Sequence, residues 1–349
     1  MYLAYPVVFL TALALAAVCS PLADRLGYRW GIVDRPGGRR QHHGEVSRLG
    51  GIALYVAFIG ALALSAFLPE TWLPPRLDPK ELTRLTGLIL GVSFVFLAGL
   101  VDDRYELGPV PQLAIQLMAS LIAIAFIIHI KHVNNPFTNQ LLFGPQGLPS
   151  PLVWVVTIFW FMGMMTTVNW LDGLDGLAAG VAAILCALLA LHMYREGQYS
   201  VVIQPLALLG ATLGFLPFNF HPARVFMGSA GAYMLGFAMA ALGIIGGAKV
   251  ATVLLVMGLP IMDVAWLIWR RWRRGQAPTR EGRDHLHFRL LDKGLTQRTI
   301  VLGYYAFSAG FGVLALVLGP RIYKVIALAL LGILGGGVLW WANRESPAP

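Results

Sequence analysis

Three polar breaks interrupt an otherwise apolar chain, and their residue types point to chemistry. They are Asp102-Asp103, the run Asn169-Trp170-Leu171-Asp172-Gly173-Leu174-Asp175-Gly176, and Asp284-His285-Leu286-His287. Carboxylates are expensive beside lipid, so acids kept in such a setting mark a functional site. Two adjacent carboxylates raise each other's proton affinity unless a cation sits close. A hard cation such as Mg²⁺ takes oxygen ligands, often one or two carboxylates plus substrate phosphates. Nearby imidazoles and guanidiniums suit phosphate recognition. Together these groups predict metal-assisted chemistry on a phosphate.

Further residues extend the set. Asp172 and Asp175 are three apart, so one helical turn would place both on one face. Asn169 adds a neutral oxygen ligand or an amide for base recognition. His285-x-His287 alone is a weak zinc pattern, and no Cys or Glu pattern completes it. With Arg283 and Arg289 it suits a pyrophosphate or a phosphosugar instead. Segment 34–51 carries Arg39, Arg40 and His42 and closes on Gly50-Gly51. It reads either as a topogenic basic loop or as an anion clamp. Asp263 lies inside an apolar stretch, one turn from Pro260, and is expected near the site or paired with an arginine.

The elements that must hold these residues are apolar helices. Of 349 residues, 57% are hydrophobic and only 12% are charged, about half the charged share of a soluble domain. Eleven stretches have the composition of a span, at 3–22, 51–69, 86–101, 112–130, 152–168, 177–193, 201–217, 230–246, 250–269, 299–318 and 325–341. The expected fold is an all-α polytopic membrane protein. It forms one domain over 1–349, with loops 23–50, 102–111, 169–176, 218–229 and 270–298 on one side. Those loops and the tail hold 18 of the 26 Lys and Arg residues. By the positive-inside rule they are cytoplasmic, with the N-terminus outside and the C-terminus inside. All three polar breaks then share the cytoplasmic side.

The net charge of +9 is read as topogenic and lipid-directed, with no nucleic-acid partner expected. The first segment lacks a basic n-region and reads as a retained helix. Cys19 and Cys186 fall in apolar runs and read as inert thiols. Gly87/Gly91, Gly210/Gly214 and Gly332/Gly336 have the spacing that lets helices approach closely. Packing within the chain is the first reading of these pairs, and a homodimer seam the second.

Taken together, the motifs resemble those of the polyprenyl-phosphate N-acetylhexosamine-1-phosphate transferases. The resemblance runs from Asp34 to Leu291. It rests on Asp34-x-Pro36 with Arg39-Arg40-x-His42 and Gly50-Gly51, and on Gly99-Leu-x-Asp102-Asp103. It continues through Asn169-x-x-Asp172-Gly-x-Asp175-Gly, Asn219-x-x-Pro222-Ala-x-Val-Phe-Met-Gly228, Pro260-x-x-Asp263 and His285-x-His287. It implies a Mg²⁺-dependent enzyme (Mn²⁺ as a substitute) of the bacterial inner membrane. Such an enzyme moves a sugar 1-phosphate from a UDP-N-acetylhexosamine to undecaprenyl phosphate and releases UMP. It would open a cell-wall polymer, O-antigen or teichoic acid pathway. The implied roles are lipid-phosphate handling for Asp102 and Asp103, with Asp103 also near the metal. Asn169 is implied as a metal ligand, Asp172 and Asp175 as nucleotide-binding acids, and Arg39, His42 and Asp263 as substrate-binding groups. His285, His287 and Arg289 match the sugar-phosphate loop.

Two positions depart from the family pattern. Gly228-Ser229-Ala230-Gly231-Ala232 stands where the family carries Gly-Asp-x-Gly-Ser, so Ser229 replaces its principal metal-binding carboxylate. Phe288 stands where a histidine is common. Two alternatives follow: a lipid I synthase acting on a muramyl-pentapeptide donor, and a catalytically silent binder of lipid phosphate or nucleotide sugar. A transporter is disfavoured, because the polar clusters sit at helix mouths rather than midway along the spans.

Overall fold

The computed structural model describes residues 2–35, 44–135, 138, 140–247, 250–277, 282, 284–318 and 321–343. The chain begins with α1 (Ala4–Trp30), a hairpin of β1 (Val33–Asp34) and β2 (Val46–Ser47), and α2 (Gly50–Ser65). Then come α3 (Glu81–Tyr105), α4 (Pro109–Ala125), α5 (Ser150–Leu171), α6 (Leu177–Arg195), α7 (Ile203–Asn219) and α8 (Gly228–Ile245). The last part holds α9 (Val250–Val256), α10 (Gly258–Arg273), the short α11 (Leu286–Asp292), α12 (Gln297–Val317) and α13 (Arg321–Asn343).

Helices dominate because a helix satisfies every backbone polar group within its own segment, which an apolar surrounding requires. Among the described residues seven helices are long and apolar enough to cross a membrane, and the pair α9 and α10 adds an eighth if counted as one broken span. Three shorter apolar helices, α2, α4 and α7, account for the remaining stretches. The architecture is that of an all-α polytopic membrane protein.

Helix α8 sits at the centre. Its apolar window is 89% buried, against 28% for α1, so it faces protein on nearly all sides while α1 faces outward. It packs against α3, α5 and α2, and α1 packs on α7 and α2. The glycine pairs serve this packing. A Cβ on Gly91 would strike the Phe237 ring of α8, and one on Gly214 would lie 2.3 Å from the Leu13 carbonyl of α1. The third pair behaves differently: a Cβ on Gly332 or Gly336 meets nothing within 4 Å. Cys186 is buried and Cys19 partly so; both are free thiols.

Three expectations about the elements change. α3 runs through Tyr105, so Asp102 and Asp103 belong to its last turn rather than to the loop beyond. The helix stops where Glu106 adopts φ 48° and donates its N–H to the Asp102 carbonyl. The expected span at 250–269 is broken, with α9 and α10 meeting at 77°. Pro260 explains the break, because it has no N–H for the carbonyl four residues earlier, that of Val256, where α9 ends. The polar segment 23–50 is partly helical, since α1 extends to Trp30 before the β1–β2 hairpin, which pairs Val33 with Ser47 and Asp34 with Val46.

Candidate functional site

The site is built around the start of α8. The first N–H groups of a helix have no partner inside it and attract a carboxylate. Asp103 supplies one. Its Oδ1 accepts the Ser229 N–H at 2.7 Å and its Oδ2 accepts the Ala230 N–H at 3.0 Å. Arg48 stands 3.6 Å from the same Oδ1 and pairs with Glu106 at 3.0 Å. Glycines make room for this. A Cβ on Gly99 would lie 2.4 Å from the Ala230 Cα, so only glycine lets α3 reach α8 there. Gly228 has φ +65°, and a Cβ on it would fall 2.3 Å from the Arg48 carbonyl.

Asp102 turns to a different partner. Its Oδ1 accepts the Leu107 N–H at 2.9 Å and Gln112 Nε2 at 3.2 Å, which closes the turn from α3 into α4. The two neighbouring acids are therefore held by different elements of the protein.

The second motif follows α5. Residues 172–176 form turns, not the helical turn expected, and Gly176 takes φ +79°. Asp172 and Asp175 consequently do different things. Asp175 Oδ2 accepts His221 Nδ1 at 2.8 Å and the Ala223 N–H at 3.1 Å. Asn219 accepts the Gly176 N–H at 3.2 Å and donates to the Val225 carbonyl at 3.0 Å. Segment 219–227 is stitched in turn to the Gly50-Gly51 motif. Gly50 donates to the Phe226 carbonyl and Gly51 to the Met227 carbonyl, each at 2.9 Å.

Asp172 has no such partner. Among the described residues its carboxylate accepts no hydrogen bond, and the Asn169 amide and Ser229 hydroxyl also make none. Loss of water around Asp172, and then the nearby Asp103 and Asp175 carboxylates, raise its proton affinity well above the ordinary carboxylate value; Arg48 opposes this.

The third motif closes over the second. Asp263 pairs with His285, whose Nδ1 lies 3.1 Å from Oδ2, while Oδ1 accepts the Leu286 N–H at 2.9 Å. Of the two expectations for Asp263, a place near the site or an arginine partner, the contacts give the first: its partners are an imidazole and a helix start. His285 stacks on His287 at 5.4 Å and meets the Trp170 ring edge-on at 5.1 Å. A Cβ on Gly173 would lie 2.4 Å from His287 Nε2, so the turn and the His loop are in direct contact. Both ring nitrogens of His287 are buried with no partner among the described residues. Burial, and then His285, lower its proton affinity to a pKa of about 3; Asp263 opposes the shift. His287 is therefore a neutral ring.

Arg289 points elsewhere than expected. One of its nitrogens donates to the Asn343 side chain of α13, which also accepts from Arg270 at 3.0 Å. Its Nη2 is buried without a partner among the described residues. Arg39, His42 and Arg283 lie outside the described residues.

The motifs thus meet through named contacts at one end of α3, α5 and α8. The family description Glycosyl transferase family 4 matches residues 85–247. The undecaprenyl-phosphate alpha-N-acetylglucosaminyl 1-phosphate transferase of Haemophilus influenzae is 31% identical over 312 residues, covering 85% of this chain and 81% of that protein. This chain belongs to glycosyl transferase family 4, the polyprenyl-phosphate N-acetylhexosamine-1-phosphate transferases. It is also similar to the probable undecaprenyl-phosphate N-acetylglucosaminyl 1-phosphate transferase of Bacillus subtilis, 29% identical over 319 residues, with 89% and 84% of the two chains covered. The decaprenyl-phosphate N-acetylglucosaminephosphotransferase of Mycolicibacterium smegmatis is 28% identical over 349 residues, with 89% and 84% covered.

For a family member the oxygen-rich side of the site matters most. Among the described residues no three His, Cys, Asp or Glu side chains gather at metal-ligand spacing. The free groups are nevertheless hard oxygen donors: the Asp172 carboxylate, the Asn169 amide one helical turn before it, and the Ser229 hydroxyl. A carboxylate without donors, facing two other acids, is a fitting ligand for a hard divalent cation that brings waters and substrate oxygens of its own.

Reading the sequence missed three residues here. Arg48 belongs to a basic segment in which nothing distinguishes it from its neighbours. His221 fills a variable position of Asn219-x-x-Pro222, and its role is visible only once Asp175 is seen to take its proton donor. Gln112 sits at the start of α4 in an otherwise apolar run.

Proposed function

We propose that this protein transfers N-acetylglucosamine 1-phosphate from the UDP-sugar to undecaprenyl phosphate and releases UMP. That would be the first membrane step of a cell-envelope polymer. The observation that carries the reading is the contact between the 169–176 turn and the 285–288 loop, beside the helix start capped by Asp103. Four separate motifs meet where two phosphorylated reactants can be gathered. The relatives' names supply the transferred group and the acceptor.

The chemistry follows from charge. An oxygen of the lipid phosphate attacks the sugar-bearing phosphorus of the donor; the bond to UMP breaks and UMP carries the electron pair away. A monoester phosphate has a second pKa near 6, so at neutral pH the attacking oxygen is already largely ionised. Such a reaction needs alignment and charge neutralisation more than a strong base. In this reading Asp103 and Asp102 hold the start of α8 and the α3–α4 turn in place beside the lipid phosphate. Asp175, tied to His221, fixes the turn on the nucleotide side. His287, neutral and with neither ring nitrogen bonded among the described residues, offers a hydrogen bond to the sugar phosphate, with His285 oriented by Asp263. Arg39 adds positive charge and His42 a hydrogen-bonding ring, while Arg289 is held by Asn343. Asp172, Asn169 and Ser229 would hold Mg²⁺, which when bound neutralises phosphate charge. In this reading the loop charges put the site on the cytoplasmic face and the N-terminus outside, the apolar stretches give eleven spans, and the bacterial relatives suggest the inner membrane.

The test is release of UMP by purified protein given Mg²⁺, UDP-N-acetylglucosamine and polyprenyl phosphate. A donor panel decides between N-acetylglucosamine and muramyl-pentapeptide. One observation favours a second reading: the family's metal-binding aspartate is Ser229, a neutral and weaker ligand. Retained UDP-sugar binding with no UMP release would make this chain a silent binder.

A further inference from the structure

We propose that the groove between α10 and α13 is a site for one anionic membrane phospholipid, separate from the reaction centre. The groove has a volume of 360 Å³ and is lined by Met262, Ala265, Trp266, Trp269, Gly336 and Leu339. On α10 these positions recur at the helical period, so they form one stripe, and Arg273 falls one turn further along it. Its guanidinium lies 5.1 Å over the ring of Trp269, itself a wall of the groove. Asp263, which orients His285, projects about 100° around the helix from the stripe. The groove and Asp263 therefore occupy different faces of α10, and the groove meets the His loop only at its end, where Arg270 and Arg289 share Asn343.

Gly336 opens the floor, since a Cβ there meets nothing within 4 Å. The opposite end is crossed by Arg270, which donates to Asn343 at 3.0 Å. The depth is set by aromatic residues. Trp269 and Trp272 are 43% and 71% exposed, and exposed tryptophans next to arginines mark the headgroup level of a bilayer. An occupant must thus be apolar along the groove and negative at the Arg273 end.

Charge fixes the class of lipid. Asp284 is shared between Arg270 at 3.8 Å and Arg271 at 3.6 Å. Arg273 and Arg274 have no acidic partner among the described residues. The uncompensated cations favour a phosphatidylglycerol-type headgroup over a zwitterionic one.

Native mass spectrometry of the full chain in detergent tests this, with phosphatidylglycerol and phosphatidylcholine of matched acyl chains as probes. One retained phosphatidylglycerol is expected, held at least fivefold more tightly than phosphatidylcholine. Arg273→Gln should remove about fivefold of that preference, the share one basic residue contributes at an anionic surface. Gly336→Phe should fill the groove and abolish retention of both lipids. The Arg273→Gln protein, altered only at an exposed position, keeps the test decisive if Gly336→Phe does not fold. Equal retention of the two probes, or phosphatidylglycerol retention unchanged by Arg273→Gln, would overturn the proposal. So would one-for-one displacement of phosphatidylglycerol by polyprenyl phosphate, which would give the groove to the acceptor. None of these readouts depends on transferase activity.

Discussion

Gly173 and His287 touch: the space a side chain would need on the glycine is filled by the imidazole Nε2, 2.4 Å from where a Cβ would sit. The turn after α5 and the loop after α10 are therefore fitted to each other at one atom. Gly173→Ala must push His287 and Phe288 aside. Misplacement of a site group by about 1 Å can cost up to 10²-fold in rate. UMP release should fall at least tenfold, while Gly163→Ala, where a Cβ meets nothing, leaves it unchanged. Equal rates in the two variants would show that the loop contact does not position the reactants.

Asp172 and Asp175 should separate stability from activity. Asp175 holds His221 and Ala223, so Asp175→Asn should lower stability by about 1–3 kcal/mol, the cost of unmaking hydrogen bonds to a charged group. Asp172 accepts no hydrogen bond among the described residues and is crowded by like charge. Asp172→Asn should melt at or above the wild-type temperature yet lose UMP release. A destabilised Asp172→Asn protein would contradict its role as a free ligand.

Ser229→Asp restores a carboxylate beside Asp103, whose charge also reaches Asp172. Three acids at one helix start repel each other without a cation. The variant should melt below wild type in EDTA and gain more than wild type when Mg²⁺ is added. If the missing ligand limits turnover, UMP release should rise as well. A folded variant with the wild-type response to Mg²⁺ would exclude residue 229 from the metal site.

His287 gives a pH signature. Its folded pKa, about 3, lies below the ordinary histidine value near 6.5. Between these values the unfolded chain binds the proton and the folded one does not. The contribution of His287 is therefore complete above about pH 6.5 and is lost as pH falls toward 3, by at most about 1.4 kcal/mol per pH unit. Melting curves from pH 7.5 to 5.0 should fall more steeply for wild type than for His287→Gln. Parallel curves would mean the ring is protonated in the fold.

Much of this was readable in advance. The apolar stretches map onto helices because nearly every residue of α8 and α6 must face protein or lipid, which composition alone reveals. The polar breaks could be named because Asp102, Asp172 and His285 stand out against apolar neighbours. What each acid does could not be read. Asp102 and Asp103 are adjacent and chemically identical, yet one closes a turn with Gln112 and the other caps α8, which is set by partners 10 and 126 residues away. The same holds for Asp172 and Asp175, because α5 ends at Leu171 and the chain runs through turns from 172 to 176, so helical spacing is lost before the second acid can share a face with the first. The break at Val256 was signalled by Pro260, but a proline can kink a helix by many angles, and only packing against α13 and α5 selects 77°.

That elbow has a consequence for how the protein lives in its bilayer. α10 turns away from α9 at 77°, and this arm carries Asp263. Thinning or stiffening the surrounding leaflet would lift or press the arm, and the imidazole hinged to its acid would travel with it.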